Sequence, residues 1–151
     1  PMKLIKRRPD LTIDVFIPEQ RFAEFFAWYE AVIDFFPLWI VPYRMPQMYA
    51  FLDDDYAAKV DNTFVIDAAI YGRPNNDRDV DISEVLEHKV HELNGFKTLI
   101  SRNHYTEDEF WKVFDKPRYD AAKARLDPED LFGNVYKRFA PVNYGIRGEG
   151  A

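Results

Sequence analysis

The sequence predicts an α+β domain built on one four-stranded antiparallel sheet, with two helices on one of its faces. Three observations lead there. Four short segments carry apolar residues in strand patterns, and two longer ones carry them at helical period. Their order along the 151 residues is β-α-β-β-α-β, followed by a helical tail. A chain of this length makes one domain, and 47% hydrophobic residues suffice for its core.

The first segment, "LTIDVFIP" (Leu11–Pro18), places Leu11, Ile13, Val15 and Ile17 on one face and Thr12, Asp14 and Phe16 on the other. That is the alternation of a half-buried strand. Pro18 ends it and suits a helix start. In "EQRFAEFFAWYEAVIDFF", Phe22, Phe25, Phe26, Tyr29, Val32 and Ile33 make one helical stripe. Leu38–Tyr43 reads as a second strand, with Pro42 favouring a sheet edge. A long connection leads to a third strand, Thr63–Tyr71, whose Phe64, Ile66, Ala68 and Ile70 oppose Val65, Asp67 and Tyr71.

"DISEVLEHKVHELNG" carries Ile82, Val85, Leu86, Val90 and Leu93 on one side of a second helix, with Gly95 placed to stop it. Phe96–Ile100 is the fourth strand. Thr106 to Glu109 fits a capping box, opening a helix with Phe110, Trp111 and Phe114 that Pro117 breaks. "RYDAAKARL" and part of "DPEDLFGNVYKRF" give further short helices. The expected division is a basic leader over 1–10, a domain over 11–140 and a flexible tail over 141–151.

This order is the split-βαβ, ferredoxin-like arrangement, in which one sheet face carries the helices and the other is open. The first and third strands are central. Their open-side residues, Thr12, Asp14, Phe16, Thr63, Val65, Asp67 and Tyr71, mix polar and aromatic groups. A small domain that leaves a half-apolar sheet face bare usually has a partner.

Composition removes several functions. A net charge of −6 lacks the basic footprint that nucleic acid requires. No apolar run approaches the ~20 residues of a membrane span. The absence of cysteine excludes disulfides and thiolate zinc sites and fits a cytoplasmic protein. No glycine-rich phosphate cradle and no G-x-S-x-G elbow is present. His88 and His91 with Glu92 lack a clear further metal ligand. Asp53, Asp54 and Asp55 with Asp61 lack the glycine and terminal glutamate of a calcium loop, so no metal is expected.

Two constellations stay open. Asp14 and Asp67, on neighbouring central strands, are either an acid/base pair or acceptors for nearby donors. Ser101–Tyr105, "SRNHY", lies between a strand and a helix. It is either a solvated loop or a site where Arg102 and His104 face an anion or an electron-rich ring, aided by the following helix N-terminus.

Four blocks in order resemble a known family. "PLWIVP", "IDAAIYGRP", "NGFKTLISRNHYTEDEFWKVFD" and "RYDAAKARLDPEDLFGNVYKRF" span Pro37 to Phe139. They resemble the C-terminal domain of FAD-linked oxidases of the vanillyl-alcohol-oxidase type, nearest the sterol delta-24 reductase (Diminuto/seladin-like) branch. "TIDVFIPEQRFAEFFAWYE" resembles the strand and helix that precede them.

The resemblance implies a cap whose sheet lies over a flavin held by an N-terminal domain or another chain, so that this chain alone would not hold FAD tightly. It implies that Ser101, Arg102 and Asn103 contact the cofactor. Tyr105, His104 or Asp67 would accept a proton, and Tyr71, Arg44 and Tyr43 would meet a small-molecule substrate. A wider relative has lysine where Ser101 stands, with Arg102 or His104 to compensate. The branch often has Tyr at Ile100 and His104, so sterol specificity does not carry over. The competing expectation is a stand-alone ligand-binding module that dimerises through its open sheet.

Overall fold

The computed structural model describes residues 8–60, 63–77 and 79–139. Most of the predicted leader, the tail over 141–151 and Asp61 therefore lie outside the described residues. Four strands, β1 (Leu11–Pro18), β2 (Trp39–Arg44), β3 (Phe64–Arg73) and β4 (Phe96–Lys97), form one sheet in the order β2-β3-β1-β4. Every neighbouring pair is antiparallel. Helices α1 (Phe22–Val32) and α3 (Ile82–Glu92) cross over between strands. The fold is the expected α+β, ferredoxin-like layer with a helical C-terminal part.

Strand register fixes which residues share a face. Ile13, Val15 and Ile17 stand opposite Ile70, Ala68 and Ile66, and this face meets α1 and α3. Its core joins the strand residues to Phe25, Tyr29, Ile33, Leu86, Val90 and Leu93. The predicted helical stripes are therefore the buried ones, although Val32 stays exposed.

The other face is only half open. Phe96 and Val65 of the sheet pack with Leu52, Tyr56, Tyr105, Phe110, Val113 and Phe114 in a second core. The long connection supplies part of this lid through a short helix, α2 (Asp54–Ala57), which Asp53 caps by accepting from the Asp55 and Tyr56 amides. Asp53 therefore caps a helix, while Asp54 pairs with Arg118 at 2.7 Å. Helix α4 (Glu107–Val113) supplies the rest and begins at the predicted capping box. Beyond it lie α5 (Lys116–Leu126) and α6 (Val135–Phe139).

Three boundaries differ from expectation. β4 stops at Lys97 rather than Ile100, because the Lys97 ammonium turns inward to Glu87 and also donates to the Arg102 carbonyl at 2.7 Å. Pro117 does not break α4. That helix already ends where Phe114 becomes extended and bridges to Leu52, and Pro117 occupies the first turn of α5. Asn94, at φ 57°, takes the left-handed position that ends α3. Gly95 serves packing instead: a Cβ there would sit 2.7 Å from the Phe16 carbonyl oxygen.

Candidate functional site

The uncovered half of the sheet gathers a compact set of side chains. Ala69 on β3 pairs with Trp39 on β2 and with Asp14 on β1. Two residues away along β3, on the same face, stand Asp67 and Tyr71. Ala69 is buried beneath these larger neighbours, whereas Trp39 is 66% exposed and Tyr71 49% exposed. The result is a methyl floor bordered by an indole, a phenol and two carboxyl groups.

Its electrostatics are unbalanced. The Tyr71 hydroxyl donates to Asp14 Oδ1, and that bond, with burial and the nearby charge, raises the Tyr71 phenol to about 12. Asp67 is 8% exposed. Its Oδ1 has no hydrogen-bond partner among the described residues. Burial first, and Asp14 second, push its carboxyl up to about 6. Asp67 is thus a buried carboxyl group next to a second one, with an oxygen that no donor of the described residues meets.

Of the residues expected at the substrate, Tyr71 and Tyr43 do lie on this face. Tyr43 stands opposite Val65, its ring centroid 6.1 Å from that of Phe16. Arg44 does not join them. The pleat turns it to the opposite face, where its guanidinium lies 5.3 Å from the Phe64 ring centroid.

Ser101–Tyr105 is not an exposed lip, and this corrects the expected picture. Arg102 is 5% exposed, Asn103 0% and Tyr105 4%. Arg102 Nη2 lies 2.6 Å from Asp81 and donates to Ser83 Oγ at 2.7 Å. Asp81 also accepts from Asn75 and Ser83. Burial alone would raise its carboxyl, but these donors outweigh it and hold the group at about 2.

His104 Nε2 is 2.8 Å from Ser83 Oγ. The serine hydroxyl gives its single proton to Asp81, so the imidazole N–H is the donor here. Burial lowers the His104 imidazole to about 4. The Asp81, Ser83 and His104 cluster therefore does not activate a nucleophile, since the histidine has no free acceptor toward the serine. Beneath it Lys97 and Glu87 form an ion pair, each side chain 1% exposed. Glu87 Oε1 accepts from the His104 amide at 2.8 Å. The Asn103 amide donates to the Phe139 carbonyl at 2.8 Å, anchoring the end of α6. Tyr105 lies in the second core, its phenol raised mainly by burial. Ser101 sits beside Arg102 on a groove of about 230 Å³ that Thr12 and Ile100 also line.

No cluster of three or more His, Cys, Asp or Glu among the described residues could hold a metal ion. His91 stacks against Tyr56 instead, ring centroids 5.9 Å apart. No described helix is long and apolar enough to cross a membrane. Trp39 is the site residue that sequence reasoning passed over. The alternation Trp39, Val41, Tyr43 was its available signal, placing the indole on the same side as Tyr43.

Comparison with known proteins finds a distant relationship. The chain is 23% identical over 127 residues to the Delta(24)-sterol reductases of Homo sapiens and Macaca fascicularis. The match takes in 83% of this chain and 24% of each relative, so the chain spans about a quarter of their length. No protein-family model matches the sequence. No solved structure matches it.

Proposed function

We propose that this chain is the cap portion of an FAD-dependent oxidoreductase. In this reading the uncovered half of the sheet closes over a flavin-bearing domain and the substrate held against it. The carrying observation is the division of that face. One half is sealed by the chain's own aromatic core. The other presents Trp39, Tyr71 and two carboxyl groups around a small Ala69, with one carboxylate oxygen unpaired. The distant match to sterol reductases more than three times as long supports the same reading.

The residues present suit a flat redox cofactor nearby. The surface is partly aromatic, with the small Ala69 between Trp39 and Asp14 and the carboxyl groups of Asp14 and Asp67 beside it. When bound, FAD supplies hydride transfer. The chain's own contribution is different. Exposed Trp39 and Tyr71 lie on the face that would shed water on closure. The Tyr71 hydroxyl and Asp14 carboxylate, already hydrogen-bonded, form a pair able to pass a proton between a substrate atom and solvent. Tyr43 extends the same wall toward the second core.

Arg102, His104, Asn103 and Tyr105 act at a remove, by fixing the β4–α4 connection. Ser101 lines one groove with Thr12, at the β1 end of the sheet. The chain has the cofactor's cap but not its cradle, so isolated protein should not retain FAD.

The test is to express the polypeptide or partner that carries the flavin domain with this chain and to measure flavin content and turnover. Tyr71→Phe should leave flavin content intact and lower turnover by about 10²-fold, the range for a positioned proton-transfer group. An assembled protein that binds no flavin, or a Tyr71→Phe variant with unaltered turnover, contradicts the reading.

A further inference from the structure

The two carboxyl groups on the open half-face form no ion pair with any described residue, and one of their oxygens lacks a donor. Asp67 is more than nine-tenths buried and its Oδ1 lacks a donor. The carboxyl group of Asp14, its diagonal neighbour on β1, accepts only from the neutral Tyr71 hydroxyl among the donors described. β2 contributes Trp39 and Val41 to this surface, neither of them charged. The chain as a whole carries −6. We propose that the surface over Ala69, bounded by Trp39, Tyr71, Asp14 and Asp67, is the seat of an arginine side chain presented by a partner protein surface.

Three features select that occupant. Two carboxyl groups at diagonal positions on neighbouring strands suit the forked N–H donors of a guanidinium, which can serve two acceptors at once. Exposed indole and phenol rings flank the same spot, and a planar guanidinium stacks on such faces while its edge donates hydrogen bonds. A lysine ammonium, a strongly hydrated point charge, fits this combination less well. Finally, the seat lies on a sheet face over the small Ala69, not in a cleft among the pockets described. A free small cation gains little on such a surface, whereas a side chain is held there by the contact around it.

The inference rests on the reading that the open half-face meets another protein surface. It adds the chemistry of the contact. It does not require that the partner carry flavin, so the two are tested apart.

The experiment titrates the full 151-residue chain with N-acetyl-arginine methylamide, followed by NMR. The controls are the uncharged citrulline analogue and tetramethylammonium. The expected result is saturable shifts at Ala69, the Trp39 indole and Asp67, with a Kd on the order of 1 mM for so small a contact. The citrulline analogue should not produce them. Asp67→Asn should weaken binding about tenfold, and Trp39→Ala, at an exposed position that leaves the fold intact, should weaken it several-fold. Binding should also weaken as pH falls below about 6, where Asp67 takes up a proton beside Asp14 and Tyr71.

Equal shifts from the citrulline analogue, or arginine shifts unchanged by both substitutions, overturn the proposal. Tetramethylammonium binding as tightly as the arginine probe overturns it in favour of a small quaternary amine. A failure here with flavin still present in the assembled protein removes only the arginine contact. Loss of flavin with intact arginine binding removes the cofactor reading instead.

Discussion

Asp67 sets the chemistry of the exposed half-face, and it should reveal itself in stability. Its carboxyl is raised in the folded chain to about 6 from an ordinary value near 3.8. Whatever stability it lends is therefore present below about pH 4 and lost as pH rises through 6. Asp67→Asn keeps the shape and removes the charge, so it should stabilise the chain at pH 7.5 by on the order of 1–3 kcal/mol, with no gain at pH 3.5. Thermal unfolding at the two pH values reads this directly.

His104 works in the opposite sense. Its imidazole falls to about 4 from 6.5, so its contribution is intact above pH 6.5 and lost as pH falls through 4. In wild type the two slopes oppose one another between pH 4 and 6. In Asp67→Asn the His104 slope remains, so stability should climb more steeply with pH across that window than in the parent. A slope unchanged from the parent would show that the Asp67 carboxyl is not raised, and a flat slope in Asp67→Asn would show that His104 is not buried neutral.

At the scale of elements, the buried ion pair beneath β4 and α3 organises the Ser101–Tyr105 corner. Lys97 and Glu87 are each 1% exposed. Burial pushes the Lys97 ammonium down, and attraction to Glu87 opposes that push. Removing one partner strands the other charge. Lys97→Met should therefore cost about 3–5 kcal/mol in denaturant unfolding, and the double variant with Glu87→Leu should recover much of it. A double variant no better than the single one would show that the pair is not mutually compensated.

Gly95→Ala tests the neighbouring turn. The added methyl must displace the β1 backbone at Phe16, which should cost about 1–3 kcal/mol.

Periodicity made most of this architecture legible. The Leu11–Pro18 alternation and the Phe25–Tyr29 stripe each bury the face that their spacing names. What spacing could not show was where Lys97 points, because a lysine at a strand end reads as solvated until a glutamate from α3 is found beneath it. The Arg102–Tyr105 run misled for the same reason. Polar residues bunched before a helix look exposed, and only tertiary structure brings Asp81, Ser83 and Glu87 to pair with them. Asp14, Asp67 and Tyr71 were legible as one face, since a period of two needs no tertiary knowledge. The cover over the other half was not, because Leu52 and Tyr56 lie in a connection without periodic pattern.

For the whole molecule, the proposed function requires that half of one sheet face make contact with a redox-active partner domain. The alternative of a self-associating module predicts burial of the same face between identical chains, so oligomeric state and flavin content separate the two. The most direct measurement is oxidative footprinting of Trp39, Tyr43 and Tyr71 in the isolated chain and in the assembled, flavin-containing protein. The account predicts that Trp39 and Tyr71 react readily in the isolated chain and become at least about tenfold protected on assembly, while Phe132, 74% exposed on the helical tail, changes little. Equal reactivity of Trp39 and Tyr71 in both states would contradict it.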